Sequence, residues 1–128
     1  AELKKYSDPE TQEYMKDALI PIYIMAKDES QMPFVADNLI AGMFFTEDPK
    51  TQTVYKEGFQ WVVNSSNVEA TQNLVDNFVE VGNRYKQYGA DKMANQVLNQ
   101  VLGVKQASDA PNKDQLIKIV EEGLGKIK

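Results

Sequence analysis

A self-match at a spacing of forty residues constrains this chain more than any other feature of its sequence. Segment 7–42 lies over segment 47–82 without a gap. Asp8 meets Asp48, Pro9 meets Pro49, Thr11 meets Thr51 and Gln12 meets Gln52. Further on, Lys16 meets Lys56, Glu29 meets Glu69, Val35 meets Val75 and Gly42 meets Gly82. The identities fall at a helix start, along helical faces, and at a glycine suited to close helix packing. A chain of repeated helical units buries its apolar faces by stacking neighbours, so the spacing predicts stacked hairpins.

The apolar spacing is helical almost throughout. The first stripe runs through Tyr14, Ala18, Leu19, Ile22, Tyr23 and Ala26, and Pro21 inside it should kink or loosen the helix. A second helix is expected from Pro33 through Phe34, Leu39 and Met43, and a third from Pro49 with Val54, Phe59, Trp61 and Val62. A fourth starts near Val68 with Leu74, Phe78, Val81 and Tyr85. A fifth follows Gly89 with Met93, Val97, Leu98, Val101 and Leu102, and a sixth starts near Lys113 with Leu116, Val120 and Leu124. Ser7-Asp8-Pro9 and Glu47-Asp48-Pro49 each set a capping side chain before a proline suited to the first helical position. Asn112 with Gln115 has capping-box spacing. The β-rich run Ile20 to Met25 is the one strand candidate, and the longer helical pattern around it argues for helix.

The expected fold is therefore all-α: one domain over 1–128 with about six helices as stacked antiparallel hairpins. The order is a leading helix (about 9–27), hairpins at about 31–64 and 68–103, and a closing helix at about 113–127. An irregular helical bundle is the alternative. The closing helix suits a capping role, with Lys113, Asp114, Lys118, Glu121, Glu122 and Lys126 available to water.

Residues 75–108 resemble a tetratricopeptide repeat. Val81-Gly82 stands where that family has Leu-Gly, Phe78 takes its early aromatic, Tyr85 its tyrosine and Ala94 its small alanine. Leu98 and Val101 fall on later packing positions. Gly82 and Ala94 would let two antiparallel helices approach closely, with Phe78, Tyr85 and Leu98 filling the space around them. Elsewhere the pattern is degenerate: the forty-residue spacing exceeds the family's period of about 34, and Gln106 replaces its closing proline. The resemblance implies a concave partner-binding face. Carried onto this chain, its polar positions are Asp76, Val79, Asn83, Lys86 and Gln87, with Asn83 and Lys86 able to supply part of a carboxylate clamp.

The residue inventory excludes most catalytic chemistry. Cysteine and histidine are absent, so thiol chemistry, a structural zinc site and a Glu-x-x-His di-iron site are unavailable. Ser65-Ser66 lacks a glycine elbow, and Glu121-Glu122 point in two directions on a helix. Gly123-Leu124-Gly125 is no phosphate loop, and neither Asp28-Glu29 nor Glu47-Asp48 has EF-hand spacing. No enzyme activity, cofactor or metal is expected. The net charge of −5, with acids and bases interspersed, argues against nucleic acid and anionic membranes, and no stretch is long and apolar enough to span a bilayer. Asn64-Ser65-Ser66 fits a glycosylation sequon, a triplet that chance produces often. A first residue of Ala fits removal of a leader and equally a trimmed chain; the expectation leans to an exported location, with a cytoplasmic one as the alternative.

What remains is binding. The expected function is a protein-interaction module that holds a peptide or helix. Met43-Phe44-Phe45 adds Phe44 and Phe45 to its candidates, because three consecutive apolar residues cannot share one side of a helix. The alternatives are a helical accessory domain with a bare apolar patch at Phe44, Phe45 or Tyr6, and a small-molecule carrier. The carrier would need an enclosed pocket lined by Tyr14, Tyr23, Met25 and Trp61.

Overall fold

The computed structural model describes residues 9–128, with side chains from Ala18 onward. Tyr6, the Ser7-Asp8 cap and the Tyr14 side chain lie outside the described residues. Among those described there are seven α-helices and no strand: α1 (Pro9–Ala26), α2 (Met32–Ala36), α3 (Leu39–Phe44), α4 (Pro49–Val63), α5 (Val68–Arg84), α6 (Ala90–Gln106) and α7 (Lys113–Lys126). Helix α1 continues through Pro21, and the run Ile20 to Met25 is part of it. The expected second helix is broken into α2 and α3 at Asp37-Asn38. There the Asn38 side-chain amide donates to the Phe34 carbonyl at 2.8 Å, in competition with the backbone ladder.

Side-chain caps start α4 and α5. Asp48 caps α4 as its sequence suggests, accepting from the Lys50 N–H at 3.4 Å and from the Thr51 hydroxyl at 2.7 Å. Asn67 does the same for α5 through the Ala70 N–H at 2.9 Å. Asn112 departs from expectation: it makes no cap, and its amide reaches across to the Ser66 carbonyl at 2.9 Å.

Helices forty residues apart lie side by side. The Asn73 amide donates to the Pro33 carbonyl at 3.0 Å, and Asn77 donates to the Asp37 carbonyl at 3.3 Å and carboxylate at 2.8 Å. These bonds join α2 to α5 in parallel. Ile24 of α1 likewise packs on Gly58 of α4. Between the members of a hairpin the helices are antiparallel and tightly set. A Cβ added at Gly42 of α3 would land on the Tyr55 ring of α4. One added at Gly82 of α5 would sit 2.9 Å from the Ala94 Cβ of α6. That is the close approach expected for Gly82 and Ala94.

Helix α7 closes the stack on α5 and α6 and runs parallel to α5. Asn112 and Ser66 mark their adjacent starts. At the other end Asn83 donates to the Lys126 carbonyl at 3.0 Å and accepts from the Lys128 N–H at 2.8 Å. Gly123 of α7 meets Val75 of α5.

The core is continuous through the stack and centres on Phe78, which is fully buried and met edge-on by Phe44 at 6.3 Å and Phe59 at 6.1 Å. Such ring pairs contribute about 0.5–1.5 kcal/mol beyond their burial. In α1 the buried face is not the one expected: Ile20 and Ile24 are buried, whereas Ala18, Ile22 and Ala26 are exposed. Nearly every position from Leu19 to Met25 is apolar, so the period selects no face. The bare backbone of Gly58 does, by admitting the Ile24 side chain.

One buried polar group ties α6 to α4. The Lys105 side chain is fully buried, and its ammonium donates to the carbonyls of Val63 and Ser65, each at 2.7 Å, and of Val62 at 3.4 Å. These are carbonyls at the C-terminal end of α4, where helical partners run out and the helix dipole is negative.

Candidate functional site: an aromatic cleft

The cleft forms where two helices end and a third begins. Helix α3 stops at Phe44, with Phe45 leaving helical geometry at φ of −112°, and the chain is extended at Asp48 ahead of Pro49. The loop is held by the Gln52 amide on the Thr46 carbonyl at 2.7 Å. Met43 packs on the core, Phe44 turns partly inward against Phe78, and Phe45 is left 69% exposed.

Opposite, α5 ends at Arg84 and a 3₁₀ turn, Lys86–Tyr88, leads into α6. Gly89 makes this turn possible with φ of 83°, a left-handed conformation that costs other residues roughly 1–2 kcal/mol. Its N–H bonds the Lys86 carbonyl at 3.0 Å, and the Ala90 N–H bonds the Tyr85 carbonyl at 3.3 Å. This tight reversal leaves Tyr85 at 39% exposed and Tyr88 at 79%.

Phe44, Phe45, Tyr85 and Tyr88 line a cleft of about 420 Å³, with Ile40, Val81 and Met93 also on its walls. The volume is within the roughly 300–1,000 Å³ typical of ligand pockets. The Arg84–Glu80 pair nearby, at 2.9 Å, is exposed on both sides. Such a pair contributes about 0–1 kcal/mol. No group of acidic side chains able to hold a metal occurs among the described residues.

The seven expected partner-binding residues divide by position. Phe44 and Phe45 line the cleft. Lys86 and Gln87 are exposed on the same turn as Tyr88. The other three lie on α5 away from the cleft lining. Asp76 is exposed and accepts from the Gln72 amide at 2.8 Å. Val79 is half-buried, with α7's Gly123 close by. Asn83 uses one amide N–H and its amide oxygen on the end of α7. Its second amide N–H has no partner among the described residues.

Tyr85 needs a correction. It was expected to fill the space around Gly82 and Ala94, but it caps α5 and opens into the cleft, because the helix ends one residue before it. Tyr88 was not anticipated. The available signal was the Tyr85-x-x-Tyr88-Gly89 spacing, with two tyrosines flanking a turn that a glycine must close.

Of the residues proposed for a carrier cavity, the Tyr14 side chain lies outside the described residues and the other three are not gathered around one pocket. Tyr23 stacks edge-on against Phe34 at 6.0 Å, Met25 is exposed, and Trp61 lines an open trough with the Lys27 ammonium 5.8 Å from its ring centroid. Comparison with known proteins returns no match to a family model, to a curated protein or to a solved structure. Fold and cleft together define an all-α domain of packed helices with an open aromatic cleft at one end.

Proposed function

We propose that this chain is a protein-interaction domain whose aromatic cleft receives an apolar anchor from a peptide or helix of another protein. The observation that carries this reading is the gathering of four large aromatic side chains, all partly open to water, around one apolar cleft. Aromatic residues in such settings supply contact area at low conformational cost and are enriched among the residues that dominate binding energy. Lys86 and Gln87, on the rim, offer polar contacts to the segments flanking the anchor. The helical hairpins act as a rigid frame, in keeping with the tetratricopeptide resemblance.

Selection from a random peptide display library tests the reading. The expected result is convergence on a motif with one or two large apolar residues, bound by the native protein and lost in Phe45→Ser/Tyr88→Ser. Both residues are largely exposed, so that variant should keep its fold. Selection of no motif, or equal binding by the variant, would overturn the proposal.

A second reading, a helical accessory domain docked within a longer protein, is favoured by the exposed Ile22 and Met25, one helical turn apart on α1. It predicts that surface variants at Ile22 and Met25 raise solubility without affecting peptide selection.

A further inference from the structure

A second surface, formed by α1 and α4, has a different chemistry. Along α4, the residues Lys56, Glu57, Gln60, Trp61 and Asn64 recur at helical spacing and form one stripe. Trp61 is half-buried in this stripe and the others are exposed. The end of α1 and the turn after it complete an open trough of about 690 Å³ with Lys27 and Glu29.

Three features of the trough narrow what could occupy it. The first is the aromatic ring. Trp61 is the single tryptophan of the chain; it packs partly against the core and lines the trough. What covers its face is the Lys27 ammonium, 5.8 Å from the ring centroid. That is close to the limit of about 6 Å for a cation–π contact and is worth only about 0.5–1 kcal/mol at an exposed site. A flexible side chain held so weakly is easily displaced. Lys27 itself stands in the left-handed region, at φ of 52°, just after the end of α1.

The second feature is charge. The trough holds two lysines, Lys27 and Lys56, and two glutamates, Glu29 and Glu57. Their formal charges cancel, so neither a phosphate, a nucleic acid nor an acidic membrane is favoured. The third is hydrogen-bonding capacity. Among the described residues the side chains of Lys56, Glu57, Gln60 and Asn64 make no hydrogen bond, although amides and ammonium groups supply donors and carboxylates supply acceptors.

From these features we infer that the Trp61 trough is a binding site for a neutral oligosaccharide. A pyranose has one apolar C–H face and a rim of hydroxyls that both donate and accept. Its apolar face stacks on the Trp61 indole in place of the Lys27 ammonium, and its hydroxyls bond to Glu57, Gln60 and Asn64. The site is separate from the aromatic cleft and shares no lining residue with it.

Trp61 is also the reporter for the test. The native protein is titrated with neutral oligosaccharide series of different linkage, and its tryptophan emission is followed alongside a glycan array. The expected result is a saturable emission change for at least one series, stronger for trisaccharides than monosaccharides. It should persist at about 0.5 M salt, where exposed charge–charge attraction is screened. Glu57→Ala and Gln60→Ala, at exposed positions, should each weaken binding about 5- to 10-fold, the effect of losing one hydrogen bond. Trp61→Ala should abolish array binding, and Trp61→Phe should retain part of it with the fold intact by circular dichroism. Phe45→Ser/Tyr88→Ser should bind sugar as the native protein does. The inference is overturned if no glycan binds, if binding survives in Trp61→Ala, or if only charged ligands bind.

Discussion

Replacing Lys105 with methionine tests how this fold holds a buried charge. Two effects oppose one another. Burial strips water from the ammonium and pushes the Lys105 pKa down from 10.5 to about 8. That change corresponds to roughly 3 kcal/mol. Against it, the carbonyls of Val62, Val63 and Ser65 surround the ammonium at the negative end of α4 and favour its charged form. Methionine keeps the length and the packing but donates nothing. At pH 7 it relieves the desolvation and leaves the Val63 and Ser65 carbonyls without this donor, at about 1–3 kcal/mol each. The Val62 carbonyl still accepts from the Ser65 N–H at 3.1 Å and hydroxyl at 2.7 Å.

The pH dependence separates the two effects. With the folded pKa below the unfolded one, the unfolded chain binds more protons between about pH 8 and 10.5, so stability rises with pH across that window. Below pH 8 the lysine is charged in both states and its burial cost is fully present. Urea unfolding of the native protein and of Lys105→Met, from pH 7 to pH 10.5, measures this. Other titrating groups cancel in the difference. The native protein should gain on the variant by up to about 3 kcal/mol as the pH rises. A difference that is flat, or that falls with pH, would refute the reasoning. It would mean that the three carbonyls hold the ammonium at least as well as water does.

Two further outcomes follow from packing and from the end of the stack. Gly42→Ala and Gly82→Ala should each cost about 1–3 kcal/mol in unfolding free energy, since the new methyl meets the Tyr55 ring or the Ala94 Cβ. Gly103→Ala, with nothing within 4 Å of its Cβ position, should instead stabilise α6 by about 0.5–1 kcal/mol. Asn83→Ala should cost about 1–2 kcal/mol by breaking two hydrogen bonds to the end of α7. Hydrogen exchange should then speed up selectively around Gly125–Lys128, and an unchanged pattern there would count against the tether.

The sequence by itself determined the helices and the order in which they occur. Apolar period, Asp48-Pro49 and the Gly89 turn act over a few residues, so they can be read without knowing the neighbours. The forty-residue self-match also placed Gly42 and Gly82 at equivalent packing points, and Asn73 and Asn77 then bind backbone carbonyls forty residues back. Of the cleft, Phe44 and Phe45 were legible because a run of three large apolar residues at a helix end cannot be buried together.

Tertiary structure alone decided which faces those helices present. It buried Ile20 and Ile24 in place of Ala18, Ile22 and Ala26, because Gly58 opposite leaves room for an isoleucine. It turned Tyr85 outward by ending α5 at Arg84, and brought Tyr88 beside Phe45 from another helix end. It drew Asn112 away from its expected cap, and set both Asn112 and Asn83 on backbone groups more than forty residues distant. It also buried Lys105, a residue whose local sequence reads as an ordinary basic helix end. The reason is common to all of these: capping and period are local, whereas burial and the partner of a polar side chain are set by what the rest of the chain places opposite.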